Sequence, residues 1–125
     1  MTIGEWLGTR TPAAPAALDA RVRAALGPAL ERDAIHVHDE ALAAAERLLQ
    51  PLLEMGCHDR GQAEALLAAD ALVTYAFEAA SSDPDRASAL AGEAMKRLAA
   101  LAEPPSAVGA ARGAREGAGA SERRP

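Results

Sequence analysis

From Gln62 to Ser82 the chain runs 21 residues without a glycine or a proline, and a capping signal stands at each end. Asp59 is suited to accept from the amides of a first helical turn. Gln62 follows three residues on, where a capping box wants Glu or Gln. Ser81-Ser82-Asp83-Pro84 closes the run and opens the next, with Asp83 as N-cap and Pro84 at the first helical position, where no amide donor is needed. Strands usually span roughly three to ten residues, so a run of this length without a breaker, mostly apolar but carrying Glu64, Asp70 and Glu78, is predicted to be a helix.

The same punctuation divides the rest of the chain. A first helix is predicted from Ala16 to Leu26, with Leu18, Val22, Ala25 and Leu26 on one face and Asp19 paired to Arg23. Gly27-Pro28 stops it, and a short helical piece follows to Asp33. A second helix covers Ile35 to Met55, lined by Ile35, Leu42, Ala45, Leu49, Leu52 and Leu53. Pro51 lacks an amide donor and predicts a kink or break near Gln50, and Gly56 supplies the stop. The third helix runs from the Asp59 cap to Ala80, with Leu66, Ala69, Val73, Ala76, Phe77 and Ala80 as its main stripe. Leu72 and Tyr75 fall off that stripe, so this helix is expected to be contacted on two sides. The fourth helix runs from Pro84 to Ala102 on Leu90, Ala94, Leu98 and Leu101.

Residues 1–15, with Pro12 and Pro15, read as an irregular arm. Ile3, Trp6 and Leu7 are spaced to dock it on the body or on another protein. Residues 103–125 open with Glu103-Pro104-Pro105, continue mostly in Gly, Ala, Arg and Glu without periodicity, and read as a disordered tail. The expected fold class is all-α: a four-helix bundle-like small domain over residues 16–102, or a fragment of a larger helical architecture.

Alanine occurs 34 times, against one Trp, one Tyr and one Phe. Alanine buries little area at about 25 cal/mol per Å², so an isolated domain of this composition is expected to be marginal. That favours a homo-oligomer or a protein partner. Met1 to Ala102 carries nine Lys/Arg against fifteen Asp/Glu, a net charge of −6, and the remaining residues add +1 to give −5. An acidic body argues against nonspecific nucleic-acid binding. A single cysteine allows no internal disulfide and points to a reducing compartment. The opening MTIGEWLGTRTP has no basic segment followed by an apolar stretch, and no apolar run approaches the ~20 residues of a membrane span. A cytoplasmic location is expected. No cofactor motif is present.

Three histidines and the cysteine fall between positions 36 and 58. His36 and Glu40 share a helical face, but His38 lies ~160° from His36, so the pair cannot chelate from one regular helix. A metal site would need His36, Asp39 or Glu40 joined by Cys57 or His58, from an end ~30 Å away unless Pro51 reverses the chain. No metal site is therefore expected. Cys57 precedes a helix N-terminus, which can lower a thiol pKa, but a nucleophile also needs a base within reach. No catalytic residue is expected. Asp70 is the carboxylate inside LLAADALVTYAFEAA. Facing inward it would require a cationic partner, with Arg47, Lys96 and Arg97 as candidates, because an isolated buried charge is very costly. It stands as a candidate functional or structural buried carboxylate.

Gly61 to Glu78, G-Q-A-E-A-L-L-A-A-D-A-L-V-T-Y-A-F-E, resembles a helix of the trans-type polyprenyl diphosphate synthases, where G-E-A-x-A-x-L-A-G-D-A-L-L-T-x-A-F-E follows the first aspartate-rich motif. Gly61, Ala63, Ala65, Leu67, Ala68, Asp70, Ala71, Leu72, Thr74, Ala76, Phe77 and Glu78 match. Asp83 to Ala99 is similar to the family's next helix, so the resemblance covers about 61–102. It implies an all-helical fold and a role beside isoprenoid synthesis. The Asp-Asp-x-x-Asp motifs that hold magnesium diphosphate in that family are absent, since the chain contains no Asp-Asp pair.

The leading expectation is a small non-catalytic helical protein acting as an interaction or accessory module through an Ala-rich helix face, with Leu66, Val73, Phe77, Leu90 and Leu98 in its core. A degenerate prenyl-synthase-like helper or small subunit, contacting a synthase or an isoprenoid ligand, is the first alternative. A metal-binding sensor using the His/Cys cluster is the second.

Overall fold

The computed structural model describes residues 1–56 and 58–103, which form five α-helices and two 3₁₀ turns. In chain order the helices are α1 (Ile3–Gly8), α2 (Ala16–Leu26), α3 (Val37–Met55), α4 (Arg60–Ala80) and α5 (Pro84–Ala102). The 3₁₀ turns lie at Gly27–Glu31 and Ala34–His36. Extended backbone pairs only at an isolated bridge between Thr2 and Asp33 among the described residues. The fold is all-α, a small bundle of α2–α5 capped by α1. The tail expected to be disordered falls, apart from Glu103, outside the described residues.

α3 and α4 form an antiparallel hairpin at the centre. Gly56, at φ 77°, lets the chain leave α3 where a side chain would be strained. Asp59 and Gln62 then make the expected capping box: Gln62 N donates to Asp59 Oδ1 at 2.8 Å, and Asp59 N donates to Gln62 Oε1 at 3.2 Å. The buried surface between the two helices is mostly alanine, with Ala41, Ala44 and Ala45 on α3 and Ala68, Ala69, Ala76 and Ala80 on α4, around Leu42 and Leu72. Small side chains let two helices approach closely and regain by contact what they lack in area.

This close packing shifts the buried face of α4 from the one the large side chains suggest. Leu72 is 0% exposed, whereas Leu66 is 44% exposed and Val73 and Phe77 are half-buried. The true stripe runs through Ala68, Ala69, Leu72 and Ala76, turned by roughly 60° at 100° per residue. Counting large residues misplaces the face because the tightest contact selects the smallest ones. Leu98 is likewise only half-buried, while Leu90 is buried as expected.

The break expected near Gln50 does not occur, since α3 continues through Pro51 to Met55. Pro51 is exposed, so the Arg47 carbonyl that loses its amide partner lies on the solvent side. α3 begins at Val37 rather than Ile35 because Asp33 Oδ1 accepts from Ile35 N at 2.9 Å and closes the preceding 3₁₀ turn.

Residues 1–15 are not irregular throughout. Thr2 N donates to Glu5 Oε2 at 2.7 Å and Glu5 N donates to Thr2 Oγ1 at 3.2 Å, a second capping box that starts α1. The same bond to the Thr2 backbone is the main cause that holds the Glu5 carboxyl below its ordinary pKa. Ile3 and Leu7 are buried, and Ile3 N donates to Arg32 O at 2.8 Å. The first helix is therefore part of the core rather than an appendage.

Candidate interaction surface

The hairpin has two flanks. On one, α1 and α2 close over α4. Trp6 meets Tyr75 edge to face, with ring centroids 6.0 Å apart, and the Arg10 guanidinium lies 4.0 Å from the Trp6 ring centre. Arg10 Nη1 reaches Glu78 Oε2 at 3.5 Å, and Arg23 bonds Asp19 at 2.8 Å while its Nη1 donates to Gly4 O at 3.4 Å. Burial pushes the Tyr75 phenol pKa up, and the Glu78 charge adds to that. Two of the three aromatic residues of the protein lie in this seam, which fastens α1 down.

α5 covers the other flank alone. Asp83 Oδ1 accepts from Asp85 N at 3.1 Å and Arg86 N at 3.2 Å, and Pro84 occupies the first turn. The helix runs parallel to α3. Near its start Arg86, Leu90 and Glu93 line a shallow cavity with His38 and Asp39, and further on Arg97 pairs with Glu46. Its inner face carries Leu90 and Ala94, both buried, then Leu98 and Leu101, both half-buried.

Its outer side is also uncharged. Ser88, Gly92, Met95, Ala99 and Ala102 recur at spacings of four, three, four and three, so they share one face, and all five are exposed. Met95 is 74% exposed, the most exposed large apolar side chain among the described residues. At 100° per residue the arc of α5 free of charge spans roughly 200°, against the ~100° that a helix covering one side of a core requires. Leu66 on α4 is exposed as well.

The residues singled out in the sequence lie elsewhere. Asp70 is exposed, so the reading of it as a buried carboxylate is corrected. The buried face passes through Ala69 and Leu72 and leaves position 70 on the outer edge, one turn from the equally exposed Thr74. Thr74 Oγ1 donates to the Asp70 backbone carbonyl at 3.0 Å, not to its carboxylate. Two of the proposed cationic partners are engaged elsewhere, Arg47 Nη2 with Ala25 O at 3.0 Å and Arg97 with Glu46.

His36 is the N-cap position of α3, and Glu40 pairs with Arg32. His58 lies past the opposite end of α3, where its amide donates to Gln62 Oε1 at 2.6 Å. Nineteen residues of unbroken α3 separate these ends, about 28 Å at 1.5 Å per residue. Cys57 lies outside the described residues. Among the described residues no three or more His, Cys, Asp or Glu side chains are grouped so as to hold a metal.

An open depression of about 490 Å³ lies where α2 ends, between Ala24–Ala29, Arg32, Glu40 and Arg47. Each of its two guanidinium groups has a partner within the chain, Glu40 for Arg32 and the Ala25 carbonyl for Arg47. The outer face of α5 carries Met95, and Leu53, Met55 and Leu67 are large apolar side chains exposed elsewhere on the described residues. Sequence reasoning passed over Met95 and Gly92 because the inner leucine stripe of the same helix is the stronger signal.

Searches against known protein families, curated proteins and solved structures found no significant match.

Proposed function

We propose that this protein is a small helical interaction module that binds a protein partner through the outer face of α5. The observation behind this reading is the uncharged arc of α5, about twice as wide as its own bundle covers, with Met95 exposed on its outer half. Met95 is left exposed on a side of α5 that the bundle does not use, which is what a partner-binding face offers.

Site-specific photo-crosslinking tests the reading. A photoreactive residue at position 95 is compared with the same residue at position 85, on the charged margin of the helix. Adducts of defined mass from position 95, absent from position 85, support the module. Equal yields at both positions, or none at either, remove it.

A second reading rests on the likeness of Gly61–Glu78 to a prenyl synthase helix. Its matched polar residues Asp70, Thr74 and Glu78 stand exposed at four-residue steps on α4, where a synthase or its ligand could meet them. Co-purification with a polyprenyl synthase and calorimetric titration with farnesyl diphosphate test it. Silence in both discards the helper role.

A further inference from the structure

We infer that the outer face of α5 is covered by α5 of a second copy of this chain, packed antiparallel, with the two-fold axis between Gly92 and Met95. This rests on the reading of that face as an interaction surface and names its occupant.

Gly92 carries the argument beyond the width of the face. It sits in the middle of a 19-residue helix, where glycine is a far poorer helix former than alanine. The protein's own structure gives no reason for it. The positive φ angles in the described residues belong to Gly27 and Gly56, and a Cβ on Gly92 would meet nothing within 4 Å. Three residues on stands Met95, the most exposed large apolar side chain. A gap and a projection thus lie side by side on one face.

Pairing by two-fold symmetry matches each with the other. In an antiparallel helix pair, one position of a 4-3 repeat faces the other position on the partner helix. With the axis between 92 and 95, Met95 of each copy fills the space over Gly92 of the other, and Ser88 faces Ala99. A parallel pair in register would set Met95 against Met95 and leave Gly92 facing Gly92, with a bulge and a void in adjacent layers. The antiparallel arrangement also brings Lys96 of one copy to the same flank as Glu93 of the other. Both are exposed, and neither forms an ion pair among the described residues.

Composition agrees with this occupant. The residues beyond Glu103 include a single side chain larger than alanine among the aliphatic types, Val108, and cannot fill a methionine-sized contact. A contact confined to one face of a single helix is smaller than the ~1,600 Å² of a standard stable interface, so the dimer is weak and concentration-dependent.

Sedimentation equilibrium of the full chain from about 5 to 500 μM is the test. The weight-average mass should climb from 12.8 kDa toward twice that value. Gly92→Leu should remain monomeric throughout while melting at a higher temperature than the wild type, because leucine fills the gap and is the better helix former. Met95→Glu should also remain monomeric, with the helical signal unchanged. In a Cys57→Ser background, mixing Gly92→Cys with Met95→Cys should give 92–95 disulfides in excess of 95–95. A wild-type mass fixed at 12.8 kDa at 500 μM overturns the proposal, as does a dimer that survives both Gly92→Leu and Met95→Glu. If position 95 still crosslinks to another protein while the chain stays monomeric, self-pairing falls and the interaction module stands. If neither occurs, both fall.

Discussion

The two flanks of the α3–α4 hairpin are closed by different means. Against α1 and α2 the seam is made of Trp6, Tyr75 and Arg10, with side chains of several charges arranged around them. Against α5 it is made of alanine and leucine, and its far end is only half covered at Leu98 and Leu101. A six-residue helix such as α1 has too little surface to dock on small side chains, so it needs aromatic anchors. A 19-residue helix such as α5 can dock on small side chains by length alone. The first solution leaves α1 with nothing to offer outward, and the second leaves α5 an uncommitted side.

Truncations at the two ends of burial on α4 give the largest expected difference. Leu72→Ala should lower unfolding free energy by about 3 kcal/mol, and Leu66→Ala by under about 1 kcal/mol, in urea titrations followed by circular dichroism. Equal losses at both positions would show that the buried face of α4 lies where the large side chains alone suggest. Trp6→Ala comes next, at about 2 kcal/mol, because it removes a half-buried ring, its edge contact with Tyr75 and its stack under Arg10. Met95→Ala, on the open flank, should change monomer stability by less than about 0.5 kcal/mol. If the order of these two were reversed, the contrast between the flanks would collapse.

A pH titration sharpens the same contrast. Glu5 has a lowered folded-state pKa, so its contribution is present above the unfolded value and is lost as pH falls through the folded one. Docking of α1, read by Trp6 fluorescence, should hold at pH 6 and loosen below roughly pH 4, with Glu5→Gln blunting the change. Tyr75 behaves oppositely: its raised pKa predicts that phenol ionisation, followed by ultraviolet difference absorbance, begins above the ordinary value of about 10. The smallest effect is expected at Asp70→Asn, within about 0.5 kcal/mol, since the carboxylate is exposed and unpaired among the described residues. A loss of several kcal/mol there would restore Asp70 as a structural charge.

Local signals in the sequence were enough for the helices themselves. The Asp59–Gln62 box, the Asp83-Pro84 start and the Gly27-Pro28 stop each act within a few residues, and α2, α4 and α5 begin and end where these residues place them. The Thr2–Glu5 box is of the same kind and is legible in hindsight, though the prolines after it suggested an irregular arm. The 4-3-4-3 repeat from Ser88 to Ala102 can also be read from the chain.

Tertiary packing decided which of two faces is covered. Position 70 is about 100° from Ala69, which lies on the buried face in either reading, and only the placement of the other helices against α4 turns it outward. The same holds for α5, where the stripes through Leu90 and through Met95 are both uncharged. Helix formation depends on neighbours within about four residues, which the sequence supplies, whereas the choice of buried face depends on how closely other helices approach. In an alanine-rich chain that choice is weakly marked in hydrophobicity, so the close fit of α3 to α4 settled it.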